Sequence, residues 1–241
     1  MKATMKVEIW SDVMCPFCYI GKRYFEAALK QFTHQQELEV VWKSFQLDPT
    51  IPEVIEHKQN VYEYLAQSKG ISVEQSVSMH ERVREMAANA GLHYNFDKLV
   101  VANSFKIHRM IQYAKTHGLG DTAEEVFFEA YFINGKDLAD TQTLISLGEQ
   151  IGLTKAQVNE ALTNDEFAYA VKQDIMEAQS LGISSVPFFV FDRKYGIAGA
   201  QPIESFIQTL NQSYEEWAKT NHIANLKVQN GPACSTDGHC E

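Results

Sequence analysis

The chain has 241 residues, of which 45% are hydrophobic and 22% are charged, as expected for a globular protein with a substantial core. Its 21 basic and 31 acidic residues give a formal net charge of −10. That charge disfavours nucleic acid and anionic membrane surfaces as partners. The N-terminal residues carry no apolar signal core, so we expect a cytoplasmic protein, where paired cysteines are more often catalytic or metal-binding than structural.

The predicted elements alternate between strand and helix at both ends of the chain. An extended run at 7–10 precedes a helix, and alternating apolar residues predict a second strand over 38–47. From about residue 60 to residue 181 the apolar residues recur with helical spacing, with one N-cap predicted at Asp140. Strands return at 188–191 and 195–198 around a turn at 192–194, and Pro202 opens a last helix.

The most informative motif is Cys15-Pro16-Phe17-Cys18, which follows the first strand and opens the first helix. Backbone amides and the dipole at a helix N-terminus favour a thiolate, which is the nucleophile of disulfide exchange. Cys18 precedes Phe25 by seven residues and is therefore predicted on the inward face, while Cys15 is expected at the exposed tip. The motif predicts a redox pair in which Cys15 attacks and Cys18 resolves.

The remaining cysteines, Cys234 and Cys240, allow other interpretations of the motif. A structural zinc site would need both as further ligands, but five residues separate them, outside the usual two to four, so no metal is expected. Turn-forming residues between them predict a second close pair. A purely structural disulfide between Cys15 and Cys18 is disfavoured in a chain without an export signal.

The order of elements resembles the DsbA-type branch of the thioredoxin fold, and in particular its cytoplasmic FrnE-like group. The matching segments are SDVMCPFCYIGK at 11–22, VPFF at 186–189, GAQ at 199–201 and the tail from Gly231 to Cys240. The resemblance implies an α/β, thioredoxin-like fold with a large α-helical insertion. The implied division is a thioredoxin-like domain at 1–55 and 182–226, an inserted helical domain at 56–181, and a tail at 227–241.

The same resemblance implies roles for residues outside the motif. Val186-Pro187 would be a cis pair facing the cysteines, with its backbone positioning an extended substrate by strand addition; a rigid turn before a strand is the alternative. Phe17 stands where the resemblance predicts Trp, and would contact substrate. Cys234 and Cys240 would form an auxiliary redox pair.

The sequence gives weaker indications of function for three further polar residues. Asn103 and His108 lie in a stretch that resembles a pocket-facing helix, although a polar contact in the core is the more ordinary role for a buried histidine. Asp12 is interpreted as a turn or cap residue rather than a proton acceptor.

The leading functional hypothesis is a thiol–disulfide oxidoreductase that cycles Cys15 and Cys18. Its partners would be proteins with disulfides or thiols, with glutathione or a thioredoxin-type reductant closing the cycle, and no cofactor is needed because the dithiol is the reagent. One alternative is a glutathione-dependent isomerase or kappa-class transferase, of the type that acts on 2-hydroxychromene-2-carboxylate. The other is a non-enzymatic holdase or adaptor. The direction of electron flow stays open.

Overall fold

A computed structural model describes residues 3–55 and 58–221. Its four-stranded sheet has the order β2-β1-β3-β4, with β1 at Met5–Ser11, β2 at Leu38–Ser44, β3 at Phe188–Phe191 and β4 at Tyr195–Ala198. β1 is parallel to β2, and β3 is antiparallel to both β1 and β4. The parallel pair requires a crossover connection, which the first helix provides.

The α-helices of the described residues fall in three places along the chain. α1 (Pro16–Leu29) connects β1 to β2, and α9 (Ile203–Asn221) follows β4. Seven lie between β2 and β3: α2 (Val61–Lys69), α3 (Val73–Asn89), α4 (Phe105–Thr116), α5 (Gly120–Phe128), α6 (Thr141–Ile151), α7 (Lys155–Thr163) and α8 (Asp165–Ser180). Side-chain N-caps fix several starts, among them the predicted Asp140 before α6.

This element order confirms the predicted α/β, thioredoxin-like fold with a large helical insertion. The domain limits at 55/56 and 181/182 stay predictions. The tail at 227–241, with Cys234 and Cys240, lies outside the described residues.

The sheet is covered on both faces because its buried residues alternate in direction along each strand. Val7 and Ile9 of β1 face α1 and α9, where Phe25 and Phe206 complete one core. Trp10 faces the insertion and donates its indole N–H to the Asp174 carbonyl of α8 at 2.9 Å. In the described part of the chain, every helix is too short or too polar to cross a membrane.

The last two strands and their turn lie where the sequence predicts them, with Asp192 and Arg193 of the turn at φ 48° and 54°. β2 is shorter than predicted and ends at Ser44 rather than at residue 47. Phe45 N–H still donates to the Ser11 carbonyl at 2.9 Å, but Leu47 N–H donates to the Asp12 carboxylate at 2.8 Å. The chain therefore leaves the sheet to follow the loop that precedes Cys15.

Candidate active site

Cys15 is the N-cap residue of α1, and Pro16 occupies the first helical position, where no amide donor is required. Cys15 N–H donates to the Asp12 carbonyl at 2.9 Å, and Cys18 N–H donates to the Cys15 carbonyl at 3.0 Å. These bonds hold the loop and the first turn together. Both cysteines are thiols here rather than a disulfide.

The loop before β3 brings a backbone carbonyl to Cys15. The Val186–Pro187 peptide bond is cis, as the resemblance implies, and the Cys15 thiol donates to the Val186 carbonyl at 3.5 Å. Gly21 of α1 makes the close packing here possible, because a Cβ on it would lie 3.0 Å from the Pro187 ring. Sequence reasoning missed this role for Gly21, although the residue belongs to the matching segment.

Cys18 differs from Cys15 in its surroundings. Burial, followed by the hydrogen bond and charge of the neighbouring Cys15, holds the pKa of Cys18 well above its ordinary value. The Asp12 backbone and the Ser11 side chain act in the opposite direction, with less effect. Cys18 is therefore the thiol that keeps its proton and can donate it toward the Cys15 sulfur.

A buried polar cluster lies beneath the loop that carries Cys15. The Asp12 carboxylate accepts Met14 N–H at 3.1 Å and lies 3.5 Å from His108 Nε2. Burial alone lowers the pKa of His108, but the Asp12 and Glu124 carboxylates outweigh it and leave the pKa raised. Burial also raises the pKa of Glu124 to about 7, although His108 and Lys22 oppose that shift.

The second turn of α1 is fixed to the insertion by ionic contacts. Lys22 is almost fully buried, and its Nζ lies 3.0 Å from a Glu125 oxygen and 3.3 Å from an Asp121 oxygen. Arg23 also pairs with Glu125, and the Tyr19 hydroxyl donates to the same carboxylate at 2.8 Å. Burial opposes ionisation of Glu125, but these donors together lower its pKa to about 2.

A cavity of about 430 Å³ lies between the first turn of α1 and helices α2 and α3. Cys15, Phe17 and Val186 form one side of it, and Leu65, Met79 and Val83 contribute from the insertion. Phe17 and Met79 are 37% and 39% exposed, so apolar surface continues from the cavity outward. The cavity therefore joins Cys15 to the apolar surface around Phe17 and Met79.

The expectation that Cys15 lies at an exposed tip is wrong, because only 3% of the residue is exposed. The insertion covers the first turn: Tyr94, which sequence reasoning did not single out, donates its hydroxyl proton to the Pro16 carbonyl at 2.8 Å. Residues so far apart in the chain give no local signal of that contact. Cys18 is buried, as the spacing to Phe25 predicts.

Asn103 and His108 do not line this cavity. Asn103 accepts Phe105 N–H at the start of α4 and Gln46 Nε2 from the loop after β2, so it joins two segments. His108 is fully buried against Asp12, the polar core contact weighed as the ordinary alternative. Asp12 accepts backbone amides as a turn residue does.

Among the described residues, no group of three or more His, Cys, Asp or Glu side chains is arranged to hold a metal ion. The other two thiols of the chain, Cys234 and Cys240, fall outside those residues.

A family profile for the DsbA-like thioredoxin domain matches residues 6–211. The chain belongs to the DsbA-like thioredoxin family. The FrnE-like resemblance of the sequence is consistent with that membership.

The chain is also similar to individual proteins and solved structures. The probable DsbA oxidoreductase SCO1869 from Streptomyces coelicolor is 36% identical, with a TM-score of 0.83 and 98% of each chain covered. The uncharacterized protein YwbO of Bacillus subtilis strain 168 is 25% identical over 209 residues, 85% of this chain and 96% of YwbO. The cytosolic disulfide reductase DsbM from Pseudomonas aeruginosa shares the fold at 16% identity and a TM-score of 0.62, with 88% of this chain and 99% of DsbM covered.

Proposed function

We propose that this DsbA-like protein is a thiol–disulfide oxidoreductase that acts on polypeptide disulfides through Cys15 and Cys18. The observation that carries the proposal is that Cys15 and Cys18 have different surroundings. Cys15 begins a helix, faces the Val186 carbonyl and lines an open cavity, whereas Cys18 lies one turn deeper and keeps its proton. Two thiols in such different surroundings can divide the work of attack and resolution.

In the reducing direction, the Cys15 thiolate attacks one sulfur of a substrate disulfide. A Cys15–substrate disulfide forms, and the other substrate sulfur leaves as a thiolate that takes up a proton. Cys18 then loses its proton and attacks the Cys15 sulfur, which releases the second substrate thiol and forms the Cys15–Cys18 disulfide. Two electrons pass from the protein dithiol to the substrate, and the oxidising direction is the reverse.

A thiol reductant must then restore the dithiol, and we infer that glutathione or a thioredoxin-type protein does so in the cytoplasm. DsbM, which shares the fold, is described as a cytosolic reductase and has also been solved with glutathione. Val186 and Pro187 are proposed to position the substrate backbone, with Phe17 beside them. An auxiliary role for Cys234 and Cys240 stays a prediction.

The test is a single turnover of the fully reduced protein with a disulfide-linked peptide, in proteins that carry Cys234→Ser and Cys240→Ser so that only the first pair reacts. We expect Cys15→Ser to slow peptide reduction by about 1000-fold or more, as loss of a nucleophile does. A Cys15→Ser protein that reduces the peptide at the parent rate would overturn the proposal. Circular dichroism checks that both proteins are folded.

A further inference from the structure

The cavity beside Cys15 is apolar over most of its wall, and the hydroxyl groups of its two tyrosines are already engaged in hydrogen bonds. Among the described residues that line it there is no Asp or Glu. The Tyr64 hydroxyl donates to Asp48, and the Tyr131 hydroxyl donates to the Val100 carbonyl at 3.1 Å. A ligand in this cavity therefore finds few free hydrogen-bonding groups.

The cavity also carries little charge. His80 Nδ1 lies 2.8 Å from the Ser76 carbonyl, and burial lowers the pKa of His80, so the ring is neutral at neutral pH. Lys69 is the cation among the described lining residues, and it is exposed at the end of α2. Away from Lys69, a charged group that entered the cavity would lose water without gaining an oppositely charged partner, which is costly.

Glutathione fits this wall poorly because it carries two carboxylates and an ammonium group. Lys69 could meet one carboxylate, but among the described residues no carboxylate lines the cavity to meet the ammonium. Transfer of an aliphatic or aromatic side chain from water to such an apolar wall is instead favourable. The exposed apolar surface of Phe17 and Met79 extends beyond the cavity, as it would for a ligand larger than the space itself.

We propose that the cavity takes an apolar side chain adjacent to the reactive cysteine of a polypeptide disulfide, and so selects apolar over charged disulfides. This inference rests on the proposed function, because Cys15 must attack the disulfide that the side chain anchors. The bonds broken and formed, and the two electrons transferred, are the same as in the exchange described above. The side chain enters the cavity while the substrate sulfur comes to Cys15.

The experiment uses three symmetrical disulfides of blocked dipeptides, acetyl-Cys-Phe-amide, acetyl-Cys-Gly-amide and acetyl-Cys-Asp-amide, together with glutathione disulfide. The leaving sulfur is a cysteine thiolate each time, and each rate is divided by the rate of the same disulfide with dithiothreitol, which removes differences in leaving-group pKa. We expect the reduced protein to react about tenfold or more faster with the Phe than with the Gly peptide, as a filled apolar pocket allows. The Asp peptide and glutathione disulfide should be slower than the Phe peptide.

Met79 and Met86 supply a matched pair of variants on α3. They lie two turns apart and are 39% and 38% exposed, but Met79 lines the cavity and Met86 does not. Met79→Glu should bring the Phe-to-Gly rate ratio close to one, and Met86→Glu should keep the parent ratio. The ratio within one protein cancels any change in the reactivity of Cys15 itself.

Three results would overturn the inference while the proposed function stands. The first is Cys15-dependent exchange with a Phe-to-Gly rate ratio near one in the parent protein, and the second is faster reaction with glutathione disulfide than with the Phe peptide. The third is an equal fall of the Phe-to-Gly rate ratio in Met79→Glu and Met86→Glu. Exchange that persists at the parent rate in Cys15→Ser would instead defeat the proposed function.

Discussion

The first and second turns of α1 meet the helical insertion in opposite ways. At the first turn, Cys15 and Phe17 border an apolar cavity, and the Tyr94–Pro16 hydrogen bond joins the turn to the insertion. At the second turn, Lys22 and Arg23 pair with acidic residues of α5. The second turn is therefore fixed to the insertion by ionic contacts, whereas, among the described residues, the first turn meets it through a single hydrogen bond and the apolar wall of the cavity.

Two consecutive residues of α5, Glu124 and Glu125, lie in these two regions. Glu124 is 1% exposed and lies near His108 in the cluster beneath the first turn, with its pKa raised to about 7. Glu125 pairs with Lys22 and Arg23 at the second turn, with its pKa lowered to about 2. Substitution of each by glutamine should therefore change stability with opposite sign.

Glu124→Gln is expected to have the larger effect. The folded-state pKa lies above the unfolded value of about 4.3, so folding loses stability as pH rises from that value through 7. Removing the carboxylate should raise the free energy of unfolding by roughly 3 kcal/mol at pH 9, with little change near pH 4.5. Urea denaturation at both pH values measures this. A variant less stable than the parent at pH 9 would show that the Glu124 charge supports the cluster.

Glu125→Gln should act in the other direction. Its folded-state pKa is depressed, so the stability it contributes is present above about pH 4.3 and is lost as pH falls toward 2. We expect a loss of about 2 kcal/mol at pH 7, between the values for surface and buried ion pairs. The difference in the free energy of unfolding between variant and parent should be smaller at pH 3 than at pH 7.

Glu149→Gln, at an exposed position of α6, is the control for both substitutions and should change stability by no more than about 0.5 kcal/mol. An equal loss at pH 7 and pH 3 for Glu125→Gln would contradict the ionic role of the second turn.

Local patterns predicted much of the fold. A short aromatic and β-branched run marked β3, the turn after it marked the start of β4, and the position of Pro16 marked the start of α1. The burial of Cys15 could not be found in this way, because Tyr94 and the insertion that cover it are distant in sequence. The Asp12–His108 contact joins the Cys15 loop to α4 and depends on how the insertion packs.

The measurement that tests the central claim most directly is the trapping of a mixed disulfide. Cys18→Ser protein, with Cys234→Ser and Cys240→Ser, is mixed with the acetyl-Cys-Phe-amide disulfide, and mass spectrometry locates the added peptide. If Cys15 attacks and Cys18 resolves, one peptide should stay bonded to Cys15, whereas protein with Cys18 intact should release it and form the Cys15–Cys18 disulfide. Absence of a Cys15 adduct, or its equal persistence when Cys18 is present, would contradict the account.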